Sequence, residues 1–294
     1  MLEIKYPNGV VIHLDEKLKR KLDNALALVK KNWDMVILID GLERSGKTTL
    51  GFTCATYLTQ GRFTHKQICS GIKDTPSKIE NAKQGDLLFE DESELAFSSK
   101  DAMRQEQRDL IKIMNIVGQK GLIFILILPS FFELAKYIAT HRSRFLLHVY
   151  TDKQMNRGRF AYFGTKRKKM LYEIGKKNFN SYSKPKSNFI GRFYDFRPSW
   201  NDEYMKIKGR SLMEAFETAK NPIRTTTKDC WLKVINNLEK AKPPLTTSQK
   251  AQIIGMARQS INRYERELEL GTKNKTNVLT TIEEVNPEME GAEE

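Results

Sequence analysis

The residues between Gly41 and Thr48 constrain the fold of this chain more than any other segment, because they read GLERSGKT and match G-x-x-x-x-G-K-[ST] in full. They follow the apolar run at 35–40, MVILID, which has the length and composition of a strand buried on both faces of a sheet. A helical pattern begins at Lys47. Glycines let backbone N–H groups turn toward phosphate oxygens, and a helix start adds its positive dipole end. The sequence therefore predicts a phosphate-binding loop between a strand and a helix.

The residue types of this loop suit a nucleoside triphosphate and its metal ion. We expect the Lys47 ammonium to neutralise the β- and γ-phosphates and the Thr48 hydroxyl to ligate Mg²⁺. ATP and Mg²⁺ are the expected cofactors. The residues predicted to bind the nucleotide are Gly41, Glu43, Arg44, Ser45, Gly46, Lys47, Thr48 and Thr49.

A second apolar run, at 87–89, ends in three consecutive acids, Glu90, Asp91 and Glu92. In nucleotide hydrolases an acid at such a strand end holds the Mg²⁺ water shell, and the next acid can polarise the attacking water. This register makes Asp91 the metal residue and Glu92 the catalytic base, and it leaves Glu90 at a position that is usually apolar. An exposed acidic strand end without a catalytic role is the alternative.

Three more polar residues follow or precede predicted strands. Ser130 comes after the apolar run at 122–128, where a hydroxyl can sense a γ-phosphate, although a plain turn residue fits equally well. Arg142 and Arg144 precede the strand predicted at 145–150. An arginine there can stabilise transition-state charge in the same or a neighbouring subunit. A structural or DNA-contacting role for both arginines stays open.

The order of these segments predicts the domain organisation. Residues 1–32 read as a hairpin followed by a helix, and strands alternate with helices over 33–151, which is typical of βαβ units and a parallel sheet. A basic, aromatic-rich appendage is expected at 152–226. A small helical domain is expected at 227–270, followed by a disordered acidic tail at 271–294.

The charge of the chain favours a polyanionic partner. Lys and Arg number 50 against 36 Asp and Glu, which gives a net charge of +14, so nucleic acid is the leading candidate and membrane lipid the weaker one. Between Lys153 and Arg192, Glu173 is the only acid against twelve basic residues. Aromatic residues are interleaved with them, and we expect those rings mostly in a core. The predicted nucleic-acid contacts there are Lys166, Arg167, Lys168 and Lys169.

A second nucleic-acid element is predicted near the carboxyl end of the chain. Residues 247–266 have the layout of a helix-turn-helix, with Ala251 at the helix crossing and Gly255 at the turn. Its second helix would present Arg258, Gln259, Asn262 and Arg263 to DNA. An ordinary helical hairpin is the alternative.

Other features narrow the location of the protein. The strongest apolar run, at 122–128, is far shorter than the roughly 20 residues of a membrane helix, and the amino-terminal residues do not resemble a signal peptide. Cys54, Cys69 and Cys230 are scattered and odd in number, which favours reduced thiols and a cytoplasmic location. The four histidines show no ligand spacing, so no metal other than Mg²⁺ is expected.

Taken in order, these motifs resemble the additional-strand, catalytic-glutamate class of P-loop ATPases. Within that class, residues 86–149 are similar to the zonula occludens toxin and HerA/FtsK-like ATPases of viruses and plasmids. The resemblance implies an α/β fold with a RecA-like P-loop NTPase core and a mainly parallel sheet of strand order 5-1-4-3-2. It also implies a homo-oligomer with sites between subunits and motor work on DNA.

The favoured hypothesis is therefore an ATP-hydrolysing DNA motor of a virus or mobile element, acting in packaging, translocation or replication in the cytoplasm, that of the host if viral. A terminase-like packaging ATPase with a nuclease is the first alternative. A small-molecule kinase would account for Lys47 but not for Glu92. An ATP-switched DNA-binding regulator or helicase loader is the alternative from a different functional class.

Overall fold

The computed structural model describes residues 1–69, 74–91, 100–220, 234–235, 238, 245–254 and 259–266. The chain divides into two compact units, Met1–Lys220 and Asn221–Glu294. Glu92, Arg258 and the predicted tail at 271–294 lie outside the described residues. No helix in the described part of the chain is long and apolar enough to cross a membrane.

The described residues of the first unit form nine strands and six α-helices. The strands are β1 Leu2–Lys5, β2 Val11–Leu14, β3 Met35–Gly41, β4 Ile68–Cys69, β5 Leu87–Asp91, β6 Ile123–Leu128, β7 Phe145–Tyr150, β8 Arg159–Gly164 and β9 Phe189–Arg192. The helices are α1 Glu16–Val29, α2 Lys47–Leu58, α3 Thr75–Asn81, α4 Lys100–Lys120, α5 Thr165–Lys177 and α6 Asn201–Lys220.

A seven-stranded sheet of order β4-β5-β6-β3-β7-β8-β9 forms the centre of this unit. The five strands from β4 to β7 are parallel, and β8 and β9 are added antiparallel. The sheet confirms the predicted α/β class. The parallel strands taken in chain order run 5-1-4-3-2, as the resemblance implied.

The buried alternation of β3 explains why helices cover both faces of the sheet. Ile37 and Ile39 pack on the face covered by α1 and α2, whereas Val36 and Leu38 pack on the face covered by α4 and α5. Each of these side chains is fully buried, which stabilises the fold by about 1.5–3 kcal/mol per side chain. The strand is therefore held in register from both sides, and its carboxyl end has a fixed position.

The residues expected to form an appendage instead extend the core sheet. Strand β8 pairs with β7 along its whole length, and β9 pairs with β8. Phe160, Phe163 and Tyr172 are buried in the two core clusters, as expected for these aromatic residues. The extension follows from the composition of β8, because its four central residues are buried on both faces of the sheet and a strand of that kind belongs beside another core strand.

In the second unit, α7 (Thr247–Ile254) and the helical residues 259–266 are described. Ala251, which was predicted at the helix crossing, is buried, and so are Ile261 and Tyr264. Lys250, at a position where an apolar residue is usual, donates to Glu265 over 2.8 Å. The turn between the helices lies among the residues that are not described, so the helix-turn-helix stays a prediction.

Candidate nucleotide-binding site

The loop at 41–48 begins where β3 ends and closes onto the first turn of α2. Gly41 has φ +143°, and a Cβ at this position would lie 2.1 Å from the carbonyl oxygen of Val149 on β7. Gly46 has φ +102° and caps α2. Any larger residue at Gly41 would force β3 and β7 apart, so the glycine allows the loop to pass close to the neighbouring strand.

Helix α2 is held against the sheet so that its amino-terminal end faces the loop. Gly51 lies in contact with Phe89 and Ile127, where a Cβ would approach the Phe89 ring to 2.9 Å. Seven other residues of α2, between Leu50 and Leu58, are also buried. The free N–H groups at the start of a helix and its dipole favour an anion at this end.

Lys47 points back into the loop. Its ammonium donates to the carbonyl oxygens of Gly41 over 2.8 Å and Leu42 over 2.9 Å. Burial lowers the pKa of Lys47, while the charges of Asp91, Asp40 and Glu43 oppose that shift. A cation surrounded by loop carbonyls at the helix start is suited to exchange those oxygens for phosphate oxygens.

Thr48 and Asp91 meet across the site, although they are 43 residues apart in the chain. The Thr48 hydroxyl donates to Asp91 Oδ2 over 3.3 Å. A hydroxyl and a carboxylate are oxygen ligands of the kind that Mg²⁺ prefers, held directly or through water. The residues present therefore fit a magnesium ion at the start of α2.

At the end of β5, the structure shows which way two of the three consecutive acids face. Glu90 is 2% exposed and accepts a hydrogen bond from the Thr75 hydroxyl of α3 over 2.7 Å. Successive side chains of a strand point to opposite faces, so Glu90 faces away from Thr48 whereas Asp91 faces it. This supports Asp91 as the metal residue. Glu92 lies outside the described residues, and its role as base stays a prediction.

Two residues of α6 reach Asp91, and neither of them was predicted from the sequence. The Tyr204 hydroxyl donates to Asp91 Oδ2, and Lys208 Nζ lies 3.5 Å from the same oxygen. Burial, followed by the Asp91 charge, raises the pKa of Tyr204 far above its ordinary value, so Tyr204 is a neutral donor. Nothing in the local sequence marks either residue, since Tyr204 is 113 positions from Asp91.

A buried polar cluster lies directly before the loop. Asp40, at the end of β3, is fully buried and accepts from the Phe131 backbone N–H over 3.0 Å and from the Tyr182 hydroxyl. His148 Nδ1 lies 3.0 Å from Asp40, and its ring stacks on Tyr182 at 3.6 Å between centroids. Ser130 directly precedes Phe131, whose backbone N–H belongs to this cluster, and sensing of a γ-phosphate by Ser130 stays a prediction. An acid ending a fully apolar strand was the available signal for Asp40.

Arg142 and Arg144 were predicted to stabilise transition-state charge. Both lie at the amino-terminal ends of the parallel strands, whereas the loop lies at the carboxyl-terminal ends. Arg142 forms an ion pair of 2.9 Å with Asp34, which precedes β3, and donates to the Met114 carbonyl. Arg144 stacks on Trp33, with its guanidinium 4.9 Å from the ring centroid. The seven residues of β3 separate these ends from the loop by about 20 Å. The prediction that either arginine contacts the nucleotide of the same chain is therefore wrong. A role in a neighbouring subunit stays a prediction.

The predicted basic contacts at 166–169 divide into three environments. Lys166 and Lys169 are exposed, whereas Arg167 is half-buried and donates to the Lys186 and Ser187 carbonyls. Lys168 is fully buried. The helical period of α5 explains this, because it places residue 168 on the inward face that carries the buried residues 171, 172 and 175.

Lys168 cannot contact nucleic acid, and that prediction is wrong. Its ammonium donates to the carbonyls of Ala139 and Ser143, over 2.7 Å for the latter, and to the Ser143 hydroxyl. Burial lowers the pKa of Lys168 to about 7, with a smaller contribution from Lys169. In the second unit, Gln259, Asn262 and Arg263 are exposed, as a surface contact requires.

No family model matches this chain, and no curated protein matches it. One of the solved structures that match is a replication initiator DnaA bound to AMPPCP and single-stranded DNA. The alignment covers 95% of this chain and 96% of that chain, with 13% sequence identity and a TM-score of 0.34. A likeness this distant carries no argument about chemistry or partners, so the function has to be argued from the geometry of the site.

Proposed function

We propose that this chain is a P-loop ATPase that binds ATP with Mg²⁺ at residues 41–49. The observation that carries the proposal is the convergence of Lys47, Thr48 and Asp91 at the start of α2. A chance loop would supply the glycines without a carboxylate facing the threonine hydroxyl. When bound there, Mg²⁺ would neutralise negative charge on the phosphate oxygens.

The residues of the site are proposed to have separate roles in binding the phosphates and the metal ion. Backbone N–H groups of Glu43, Arg44, Ser45, Gly46 and Thr49 would surround the phosphates, and Lys47 would leave its loop carbonyls for them. Thr48 and Asp91 would hold the metal. Glu92, the next residue, is proposed to accept the proton of the attacking water, which distinguishes hydrolysis from phosphoryl transfer to a small molecule.

The Asp91 and Glu90 carboxylates offer a matched pair of variants for this proposal. Asp91→Asn should greatly reduce hydrolysis and weaken its dependence on Mg²⁺, because Asp91 faces Thr48. Glu90→Gln should leave hydrolysis near that of the wild type, because Glu90 faces α3. Glu92→Gln should leave ATP bound but unhydrolysed. Loss of hydrolysis in Glu90→Gln alone would contradict this assignment of the three acids.

We further propose that nucleic acid, with DNA favoured, is the partner of the ATPase. The support is the net charge of +14, the exposed Lys166 and Lys169 on α5, and the exposed polar residues at 259–263. The resemblance to HerA/FtsK-like ATPases favours a motor built from several copies of the chain. The nuclease alternative gains no support, since the described residues contain no group of three or more His, Cys, Asp or Glu side chains that could hold a metal ion.

The experiment that tests the partner is an ATPase assay on the full chain with single-stranded DNA, duplex DNA or RNA. A motor couples its two sites, so the preferred polymer should stimulate hydrolysis several-fold. A regulator that uses ATP as a switch would bind DNA in an ATP-dependent manner with slow turnover that DNA leaves unchanged. Hydrolysis without any binding or stimulation by the three polymers would overturn the partner and leave the ATPase.

A further inference from the structure

Helix α6 brings two polar side chains, one turn apart, to the proposed metal site. Lys208 Nζ lies 3.5 Å from Asp91 Oδ2 and 3.3 Å from the Tyr204 hydroxyl. The Tyr204 hydroxyl donates to that same carboxylate oxygen, which also accepts from Thr48. A second ammonium besides Lys47 is therefore held at the mouth of the loop.

The amino-terminal part of α6 is anchored, which gives Lys208 a defined position. Tyr204 is 5% exposed and packs edge-on against Phe52 of α2, with centroids 5.0 Å apart. Trp200, just before the helix, contacts Phe52 and Phe63 and donates its indole N–H to the Phe63 carbonyl over 3.0 Å. By contrast, the Lys208 side chain is 43% exposed, so its head can move within reach of a ligand while its backbone stays fixed.

We propose that Lys208 is a second phosphate-contacting cation of the nucleotide site, supplied by the same chain, and that Tyr204 is a positioning residue for Asp91 and Lys208. The proposal rests on the ATP-binding function proposed above. Its chemical ligand is the β- or γ-phosphate of a nucleoside triphosphate.

The charge balance of the site favours this role. A triphosphate brings more negative charge than one Mg²⁺ and the Lys47 ammonium neutralise, and Asp91 adds another negative charge. Lys208 is near enough for its charge to lower the pKa of Lys47. Arg142 and Arg144 lie at the opposite edge of the sheet, so they do not supply this cation within one chain.

The exposure of the Lys208 ammonium separates a stabilising role from a role in binding. The Lys208 side chain is 43% exposed and its ammonium lies 3.5 Å from Asp91, and an ion pair with one solvent-exposed partner contributes little to stability. A charge-assisted hydrogen bond to phosphate at a partly enclosed site is stronger, and its loss weakens binding roughly tenfold or more. The two roles therefore predict different results when the ammonium is removed.

The test compares Lys208→Ala, Lys208→Arg and the control Lys206→Ala in the full chain. Lys206 is exposed on the same helix two residues away, so its removal changes the net charge equally. Calorimetric titration with Mg²⁺ and a non-hydrolysable ATP analogue should show roughly tenfold weaker binding for Lys208→Ala. Lys208→Arg should retain most of the affinity, Lys206→Ala all of it, and turnover should follow the same order.

Tyr204→Phe tests the positioning role without removing the packed ring. Its melting temperature should stay near that of the wild type, while the Mg²⁺ concentration for half-maximal turnover should rise several-fold. Combined with Lys208→Ala, its effect should be smaller than the sum of the two single effects, since part of the role of Tyr204 is to position Lys208.

Two results would overturn the inference. Equal affinity in Lys208→Ala and Lys206→Ala would leave Lys208 as a surface ion pair. Tighter binding in Lys208→Ala would show that Lys208 competes with Mg²⁺ for Asp91. The wild type and Lys47→Ala keep this distinct from the proposed function, because a wild type that binds no nucleotide refutes both, whereas binding that depends on Lys47 but not on Lys208 refutes this inference alone.

Discussion

Lys47 and Lys168 both donate hydrogen bonds to backbone carbonyls, and burial lowers the pKa of both, but their surroundings differ. Lys47 is half-buried at the mouth of the loop and feels the charges of Asp91, Asp40 and Glu43. Lys168 is fully buried, and the one charge that contributes to its shift is that of Lys169, which lowers its pKa further. The same bonds to backbone carbonyls therefore occur both at a proposed ligand site and in a core. Facing carboxylates and access to solvent distinguish Lys47, the lysine proposed to bind phosphate, from Lys168.

The largest effect is expected from Lys47→Ala, which should weaken ATP binding at least about 100-fold. The phosphates would lose their main cationic partner, and a charged hydrogen bond of this kind contributes about 1.5–3 kcal/mol for each contact. Fluorescent-nucleotide titration measures the change, with the exposed Lys66→Ala as control. The melting temperature should hardly move, because Leu42 is exposed and the half-buried Lys47 side chain would leave space through which water can replace its hydrogen bonds. Unchanged affinity would refute the loop assignment and with it the contrast between the two lysines.

Lys168→Ala should show the opposite behaviour. The variant opens a cavity beneath α5 and leaves the Ala139 and Ser143 carbonyls without their donor, so the free energy of unfolding should fall by about 2–4 kcal/mol. Lys169→Ala, on the exposed side of the same helix, should change it by less than about 0.5 kcal/mol. Denaturant unfolding measures both. ATP affinity of the folded variant should match the wild type, and a loss of affinity without a loss of stability would contradict the structural role.

Apolar strands and the loop could be predicted because their signals are local. A run such as 35–40 has the length and the β-branched content of a doubly buried strand. The glycine spacing at 41–46 is typical of a loop whose backbone surrounds a phosphate. The contacts of Asp91 with α6 could not be predicted, since they join residues more than a hundred positions apart. Lys168 was mispredicted for another reason. Four adjacent basic residues read as one surface, although the helical period sends one of them inward.

The pH dependence of the free energy of unfolding should report on the buried ammonium of Lys168. The pKa of Lys168 is about 7 in the folded chain and near 10.5 when unfolded, so between these values the unfolded state binds more protons. Stability contributed by this group therefore rises as the pH increases from about 7 toward 10. Other groups titrate as well, so the measured quantity is the difference in unfolding free energy between the wild type and Lys168→Ala. That difference should be larger at pH 9 than at pH 7, and a constant difference would show that Lys168 stays charged in the fold.

The smallest effect concerns the exposed neighbours of Lys168. If DNA binds along α5, replacing Lys166 and Lys169 together by Ala should weaken binding several-fold. It should also flatten the dependence of log K on log salt by roughly 0.7–0.9 for each phosphate that these lysines no longer neutralise.

ATP hydrolysis without DNA should be unchanged in this double variant, because both side chains are exposed on α5 and neither belongs to the proposed nucleotide site. Lys168→Ala is the internal control, because it removes one lysine from the buried face of the same helix and its folded form should keep the wild-type salt slope. A slope that falls by as much for each lysine removed in Lys168→Ala would mean that net charge alone sets the affinity. A slope that is unchanged in the Lys166 and Lys169 variant would move the DNA-binding surface away from α5, toward the exposed residues at 259–263 in the second unit.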